Sequence, residues 1–511
     1  MISGAHAQTA VGGQTLGVID IGSNSGRVMV ARVLGAAHLD VLGDARSPLR
    51  LVRDVAVAGR LSAETTERTL RIVRGFMAVA SSAGAERTVA VATAAVREAS
   101  NGDAFIERVR AELGIRVDIA DGAEEARYGF QGAVHGLAVE HGIVLDVGGG
   151  SLQLVHFRSR RLVRSWSLSL GALRLSDRFL RSDPPNRGEM RSLKEHVYAT
   201  LEDAGVSPLV NDERLVVTGG TVRNLAKVDR RQRGEYPISR LHGYLLDRRR
   251  LDEAGVLLAR QPASERARVP GLNADRLDSI VGGSLVIQAV MDRLLASELT
   301  VAGYGLREGI ALRSVSDEVA MVHDVQRASV AAVGARFTSW DYHRAECRAV
   351  LVERLLSSVA PGLPEEARLA AAGAARLLDI GASIDYYRRH AHAARIVSDA
   401  NLDGYSHRML ALVAAALWAV GEREASVKTW APLLGPADQP MVEQIAAAVG
   451  LAEALVRYGS ANLDATSFDR SNGHLAVVTP VVDSWPLEAP AQRAERAFGL
   501  SFEVGTGVHG A

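Results

Sequence analysis

Along the first third of the chain, apolar runs stop at small polar turns and then resume. Val18-Ile19-Asp20-Ile21 leads into Gly22-Ser23-Asn24-Ser25, and a second run follows from Gly26 to Val33. The same order returns later as Val144-Leu145-Asp146-Val147, then Gly148-Gly149-Gly150-Ser151, then Leu152 to Phe157. In each copy an aspartate closes the first run, with a glycine two places on and a serine five places on. The pattern predicts strand, turn and strand twice over, and hence two related half-domains that each present a hairpin tip.

Around these copies strand-like and helix-like stretches alternate. Arg87–Ala92 predicts a strand running into a helix over Thr93–Ala99, and Ile115–Ala120 predicts another, followed by a turn at Asp121-Gly122 and a helix from Ala123. Leu215–Thr218 predicts a strand that breaks at Gly219-Gly220-Thr221 into a helix. Paired glycines there free the backbone to aim N–H groups at a ligand beside the positive end of the helix dipole. Asn273 is expected to cap a helix running through Ile280 toward Leu294, and Leu299–Ala302 predicts a strand before Gly305-Leu306-Arg307-Glu308-Gly309. Such alternation argues for α/β layers. Beyond about residue 318, alanine, leucine and arginine recur at helical spacing to Tyr458, and two strand-like runs, Leu475–Val482 and around Phe502–Val504, close this module. The expected division is a tail over 1–14, lobes over 15–138 and 139–317, and a mainly helical domain over 318–511.

Charge changes the picture by exclusion. Lysine plus arginine and aspartate plus glutamate both number 59, which argues against a coat for nucleic acid or an anionic membrane; any polyanion must be met locally. Lysine occurs only as Lys194, Lys227 and Lys428, so the positive charge is almost all arginine, whose planar fork matches phosphate oxygens. Codon bias accounts for that equally. The clusters Arg158-Arg160-Arg161-Arg164, Arg230-Arg231-Arg233 and Arg248-Arg249-Arg250 are candidates to line a polyanion channel, or else form solvated charged faces. Met1–Gln14 carries no signal-peptide pattern and the apolar stretch Met409–Val420 is too short to span a bilayer, so a soluble, cytoplasmic protein with no membrane partner is expected. The single cysteine, Cys347, excludes an internal disulfide framework and a cysteine-based zinc cluster.

Asp20 and Asp146 stand beside turns of small residues, where exposed amides cradle phosphate. A bare carboxylate repels phosphate, so a functional reading needs a bridging divalent cation or a water to orient. No lysine follows a glycine-rich turn, so a Walker-type loop is absent, and amides, hydroxyls and arginine would have to hold the phosphate.

Six motifs in order, Asp20–Ser25, Ala92–Ala99, Glu124-Glu125-Ala126-Arg127, Asp146–Ser151, Thr218–Thr221 and Gly305–Gly309, resemble those of the exopolyphosphatase and guanosine pentaphosphate phosphohydrolase (Ppx/GppA) family across roughly residues 15 to 312. The resemblance implies a duplicated ribonuclease-H-like, actin-like ATPase fold of two lobes around a phosphate-binding cleft. It also implies magnesium-dependent hydrolysis at the ends of inorganic polyphosphate, of guanosine pentaphosphate, or of both. Carried over residue by residue, Glu125 matches the catalytic base, Asp146 its partner carboxylate and Arg97 the phosphate-contacting arginine. Gly22-Ser23-Asn24-Ser25, Gly148-Gly149-Gly150-Ser151 and Gly219-Gly220-Thr221 match the phosphate-binding turns. Asp20, Asp146 and Gln153 are the expected metal ligands. The family usually carries Thr-Glu after the triple glycine and serine, where this chain reads Leu152-Gln153, a neutral ligand that holds a divalent cation less firmly. That departure favours a non-hydrolytic polyphosphate or guanosine polyphosphate sensor as the alternative; retention of Glu125 and Asp146 counts against it. The C-terminal module more faintly resembles the all-helical extension of long family members, related to His-Asp phosphohydrolase domains. Leu378-Asp379 stands where a His-Asp pair is expected, so a second two-metal site is not expected there. A homodimer is what the long family members suggest.

Overall fold

The computed structural model describes residues 13–34, 38–422, 424–458, 466–471, 473–479 and 485–506. They form two compact units: the first runs to Glu235 and resumes over Leu241–Val325, and the second takes Tyr236–Arg240 and the chain from Gln326 on.

In the first unit the sequence repeat becomes a repeat of topology. Strands β1 (Gln14–Ile21), β2 (Ser25–Leu34), β3 (His38–Pro48), β4 (Arg87–Ala92) and β5 (Val117–Ile119) lie in the order β3-β2-β1-β4-β5. The first three form an antiparallel meander, and β4 and β5 add in parallel. Strands β6 (Gly142–Val147), β7 (Leu152–Arg158), β8 (Arg161–Leu168), β9 (Arg214–Thr218), β10 (Tyr244–Asp247) and β11 (Glu298–Val301) form the order β10-β11-β9-β6-β7-β8. Read from β8 through β11 it is the first sheet again, with β10 added at the edge. The helices of this unit include α1 (Leu51–Ala58), α2 (Ala63–Ser82), α3 (Ala94–Glu98), α4 (Gly102–Leu113), α5 (Gly122–His135), α6 (Ala172–Phe179), α7 (Arg187–Asp203), α8 (Gly220–Gln232), α9 (Arg248–Ala259), α10 (Ala263–Arg266), α11 (Ile280–Leu294) and α12 (Leu306–Arg313).

The apolar run in β1 has no polar alternation because both faces of the sheet are covered. Ile19 and Ile21 join Leu70, Val73 and Phe76 of α2 in one core. Leu16 and Val18 join Ile310, Ala311 and Leu312 of α12 in another. Conversely, Ala126, Phe130 and Ala133 of α5 pack with Val144, Val155 and Val216 of the second sheet. Each lobe therefore lends a helix to the other: α5 follows the first sheet but covers the second, and α12 does the reverse. Where the two helices meet, a Cβ on Gly132 would strike the Gly305 backbone and one on Gly309 the Tyr128 backbone. A fully buried aliphatic side chain contributes about 1.5–3 kcal/mol against about 0–1 for a surface ion pair, so this exchange of helices, more than surface charge, holds the lobes together.

The sequence expectation needs correcting in two places. Asn273 opens no long helix; Ala274–Arg276 is a 3-10 turn, and α11 starts at Ile280. Asn273 instead donates its N–H to Asn224 Oδ1, 2.8 Å away, so the short turn is tied to α8. The second unit is not all helical. Its helices include Tyr342–Val359, Glu365–Leu377, Arg389–Asp399, His407–Val420 and Gln439–Tyr458, but β12 (Ser467–Ser471), β13 (His474–Thr479) and β14 (Ser501–Thr506) form a three-stranded sheet. β13 pairs parallel with β14 across helix Trp485–Phe498, burying Leu475 and Val477. The end of the strand-like run to Val482 lies outside the described residues. Asp379 accepts hydrogen bonds from Arg344 Nε at 3.2 Å and Arg348 Nη2 at 3.0 Å. Arg348, itself fully buried, also reaches Glu453, so this carboxylate is neutralised by guanidinium groups. No helix among the described residues is long and apolar enough to cross a membrane.

Candidate functional site

The turns between β1 and β2 and between β6 and β7 are locked in the same way. The N–H groups of Leu49 and Arg50 donate to the Asn24 carbonyl and that of Val52 to Ser23, as the chain enters α1. At the start of α6, the N–H of Ala172 donates to Gly148 and those of Leu173 and Arg174 to Gly149. These carbonyls are consumed by helix entries, so the backbone groups such turns retain for a ligand are N–H donors, suited to an anion. Gly149 brings the two tips together: a Cβ there would lie 2.6 Å from Asn24 Cβ. Gly219, at φ +101°, opens α8 with its α-carbon against the Asp146 carboxylate; a Cβ would sit 3.0 Å from Asp146 Oδ1. No other residue type tolerates both that backbone angle and that approach.

The sequence Asp121-Gly122-Ala123-Glu124 forms a capping box at the start of α5. The Asp121 side chain accepts from the N–H groups of Ala123 and Glu124, and Glu124 accepts from the Asp121 N–H. Glu124 is thereby spent on the cap at the surface, whereas Glu125 turns inward, its side chain 11% exposed. One turn further along α5, Gly129 stands beside Asp146, where a Cβ on the glycine would lie 3.6 Å from Asp146 Oδ2, so Glu125 and Asp146 share one side of the cleft.

One open cleft of about 120 Å³ is lined by Asp20, the Gly22–Ser25 turn, Glu125, Asp146, Gly148, Gly149, Ser151, Gly219 and Gly220. Burial raises the Glu125 pKa to about 7, with Arg97 opposing and the Asp146 and Asp20 carboxylates assisting. Burial likewise raises Asp20 to about 6, opposed by Arg27 and Arg307 and assisted by Asp146 and Glu308. Asp146 is pushed up by burial against the pull of Arg223 and Arg27. Glu125 and Asp20 both feel the Asp146 carboxylate, and all three line the one cleft.

Several expected residues lie off the cleft wall. Arg97 donates to the Ala120 carbonyl at 2.5 Å and to Glu125 Oε2 at 3.4 Å, so it positions the glutamate rather than facing the cavity. Gly150 is pressed against Ser23, and Thr221 is buried behind its turn. Gln153, also buried, donates from Nε2 to Ser151 Oγ at 2.9 Å and supports the turn from behind. The repeat explains the last position: Gln153 pairs with Asp146 across its hairpin as Arg27 pairs with Asp20 across the other. In the first copy that place holds a guanidinium that does line the cleft.

Sequence reasoning assigned no role to the cleft arginines Arg27, Arg223, Arg276 and Arg307, nor to Glu308. Arg27 was within reach, seven places after Asp20 as Gln153 is after Asp146. Arg223 sits in the first turn of α8, with Nε donating to the Gly219 carbonyl at 3.0 Å and Nη1 to Gly303 at 2.7 Å; burial and its cationic neighbours push its pKa down to about 9. Arg276 has no local sequence signal. The three arginine clusters lie elsewhere: Arg160 donates to the carbonyls of Leu137, Val139, Val134, His135 and Ala320, while Arg248, Arg249 and Arg250 pair with Asp292, Glu253 and Asp229.

No group of three or more His, Cys, Asp or Glu that could hold a metal occurs among the described residues. Magnesium needs less, since it takes one or two carboxylates and completes its shell with water and phosphate oxygens. The repelling oxygen donors Asp20 and Asp146 fit such an ion.

The model of the Ppx/GppA phosphatase family matches residues 29–318. Exopolyphosphatase 1 of Mycobacterium leprae is 31% identical over 309 residues, 59% of this chain and 90% of the relative. Exopolyphosphatase 2 of Mycobacterium tuberculosis is 30% identical over 309 residues, 58% of this chain and 96% of the relative. The crystal structure of the Aquifex aeolicus Ppx/GppA family member superposes with a TM-score of 0.52 at 27% identity, covering 59% of this chain and 97% of that one. An exopolyphosphatase from Cytophaga hutchinsonii superposes with a TM-score of 0.54 at 25% identity, covering 60% of this chain and all (100%) of that one.

Proposed function

The chain belongs to the Ppx/GppA phosphatase family, and on that premise we propose that it is an exopolyphosphatase, releasing terminal orthophosphate from inorganic polyphosphate. The observation that carries the reading is the convergence of Glu125, Asp20 and Asp146 with the two hairpin turns on one arginine-lined cleft. A water held by Glu125 attacks the terminal phosphorus; its proton passes to the Glu125 carboxylate as the new P–O bond forms. The bridging P–O bond opposite breaks, and the shortened chain leaves with the electron pair. A pKa near 7 poises Glu125 to accept that proton at neutral pH. Arg97 keeps its carboxylate aimed. Turn amides hold the terminal oxygens, and Arg27, Arg223 and Arg307 offset the charge that develops on them. Asp20 and Asp146 would hold magnesium, which supplies further charge neutralisation when bound.

Guanosine pentaphosphate presents a similar chain end, so substrate choice has to be measured. The test is phosphate release from long polyphosphate, guanosine pentaphosphate and ATP by wild type and Glu125→Gln. Release from polyphosphate well above that from the other two, reduced about 10²–10⁴-fold in the variant, is the expected result. Equal rates in wild type and variant would remove Glu125 as the base, and preferred release from ATP would overturn the substrate class.

A further inference from the structure

A groove on the second lobe opens away from the cleft. It lies between α7 and α9 over α11 and holds about 620 Å³, within the range of small-molecule sites. Val281, Ser284, Leu285 and Gln288 recur along α11 at spacings of three and four, so one face of that helix makes the floor. The opposite face serves the cleft. A Cβ on Gly283 would lie 2.6 Å from Thr221 Cγ2, and one on Gly282 would strike Ser176 of α6.

The walls are aliphatic, from Pro184, Met190, Val256, Ala259, Val281 and Leu285, and the lining contains no aromatic ring. On the floor Ser284, 2% exposed, carries a hydroxyl with no hydrogen-bond partner. Gly255 leaves the room beside it: a Cβ there would be 2.7 Å from Ser284 Oγ and 3.0 Å from Gln288 Nε2. A buried hydroxyl left unpaired costs stability that a ligand oxygen would recover. The lining also carries the exposed arginines Arg187 and Arg260 and no acid, so its field favours an anion. The loop that supplies Pro184 is held in advance. Asp183 accepts from the Ala263 N–H at 2.8 Å and pairs with Arg266 at 2.5 Å, and Asn186 caps α7 in a reciprocal bond with Glu189.

We propose that this groove binds a medium-length aliphatic carboxylate that carries a hydroxyl at its far end. The chain lies along Met190, Val281 and Leu285, its hydroxyl meets Ser284 and Gln288 on the floor, and its carboxylate stays with Arg187 and Arg260. A planar nucleobase fits less well, because no aromatic side chain is there to stack on it. The site is separate from the exopolyphosphatase reading and stands without it.

The test is calorimetric binding of octanoate, of the same acid with a terminal hydroxyl, and of the corresponding diol to the full-length protein. The variants are Ser284→Ala, Arg187→Gln combined with Arg260→Gln, and Ala259→Phe, which fills the groove from α9. The hydroxy acid should bind wild type about fivefold or more tightly than octanoate, and Ser284→Ala should erase that preference. Loss of both arginines should weaken the two acids about tenfold and the diol less than about twofold. Ala259→Phe should abolish binding of all three, and an excess of tripolyphosphate should displace none of them. Should Ala259→Phe melt well below wild type, the Ser284→Ala comparison decides by itself. Wild type that binds neither acid below about 1 mM, a preference that survives in Ser284→Ala, or displacement by tripolyphosphate would overturn the assignment. Adenosine monophosphate bound more tightly than either acid, and lost in Ala259→Phe, would overturn the ligand class.

Discussion

The buried Glu125 carboxyl costs the fold stability once it ionises. It lies beside two other acids, and its pKa stands at about 7 rather than 4.5. A carboxyl with a raised folded-state pKa binds more protons folded than unfolded, so its stabilising contribution is full below about 4.5 and is lost as pH rises through about 7. At pH 8 the wild type therefore carries an ionised, crowded carboxylate that a glutamine would not. Without divalent cation, Glu125→Gln should raise stability by roughly 2–3 kcal/mol at pH 8, with the gain vanishing near pH 4. Denaturant titrations at the two pH values check this. A variant less stable than wild type at pH 8 would mean that the acid cluster is already neutralised within the fold.

The two hairpins show how an element can be specified by what it must avoid. Gly149 has no freedom to spare, because a Cβ would collide with Asn24 Cβ, which cannot swing away. Gly149→Ala should therefore drive the tips apart, lowering stability by about 1–3 kcal/mol and phosphate release at least tenfold. Gly75, inside α2, has nothing within 4 Å of the same position and should instead gain about 0.5–1 kcal/mol from alanine, through helix propensity and reduced unfolded-chain entropy. Melting curves and initial rates for the pair separate the two cases; a Gly149→Ala protein as active as wild type would show that the tips need no contact.

The cleft belongs wholly to one of the two units, with its lining residues between Asp20 and Glu308. The Cytophaga hutchinsonii exopolyphosphatase is covered over its whole length (100%) by 60% of this chain, so a protein of that extent folds without the second unit. A chain ending after Val325 should fold and release phosphate from short polyphosphate with kcat within about tenfold of the full-length protein. Size-exclusion chromatography and a rate measurement settle it. A soluble, folded but inactive fragment would assign part of the cleft's organisation to the second unit.

Local chemistry made much of this legible beforehand. The repeated Asp, Gly and Ser spacing marked both hairpins, Gly219-Gly220 marked the third turn, and Asp121-Gly122 marked the turn into α5. What depends on sequence-distant neighbours was not legible. Arg97 turned toward Glu125 and Gln153 toward Ser151 because of what packs around them, and Asn273 bonded to α8 instead of capping a helix. Arg276 reached the cleft only because residues far apart in sequence were brought over Gly220. Spacing along a chain determines turns, caps and register through short-range geometry. Which face of a buried side chain meets a cavity, and which charges repel strongly enough to shift a pKa, is decided only when the two sheets close on each other and exclude water.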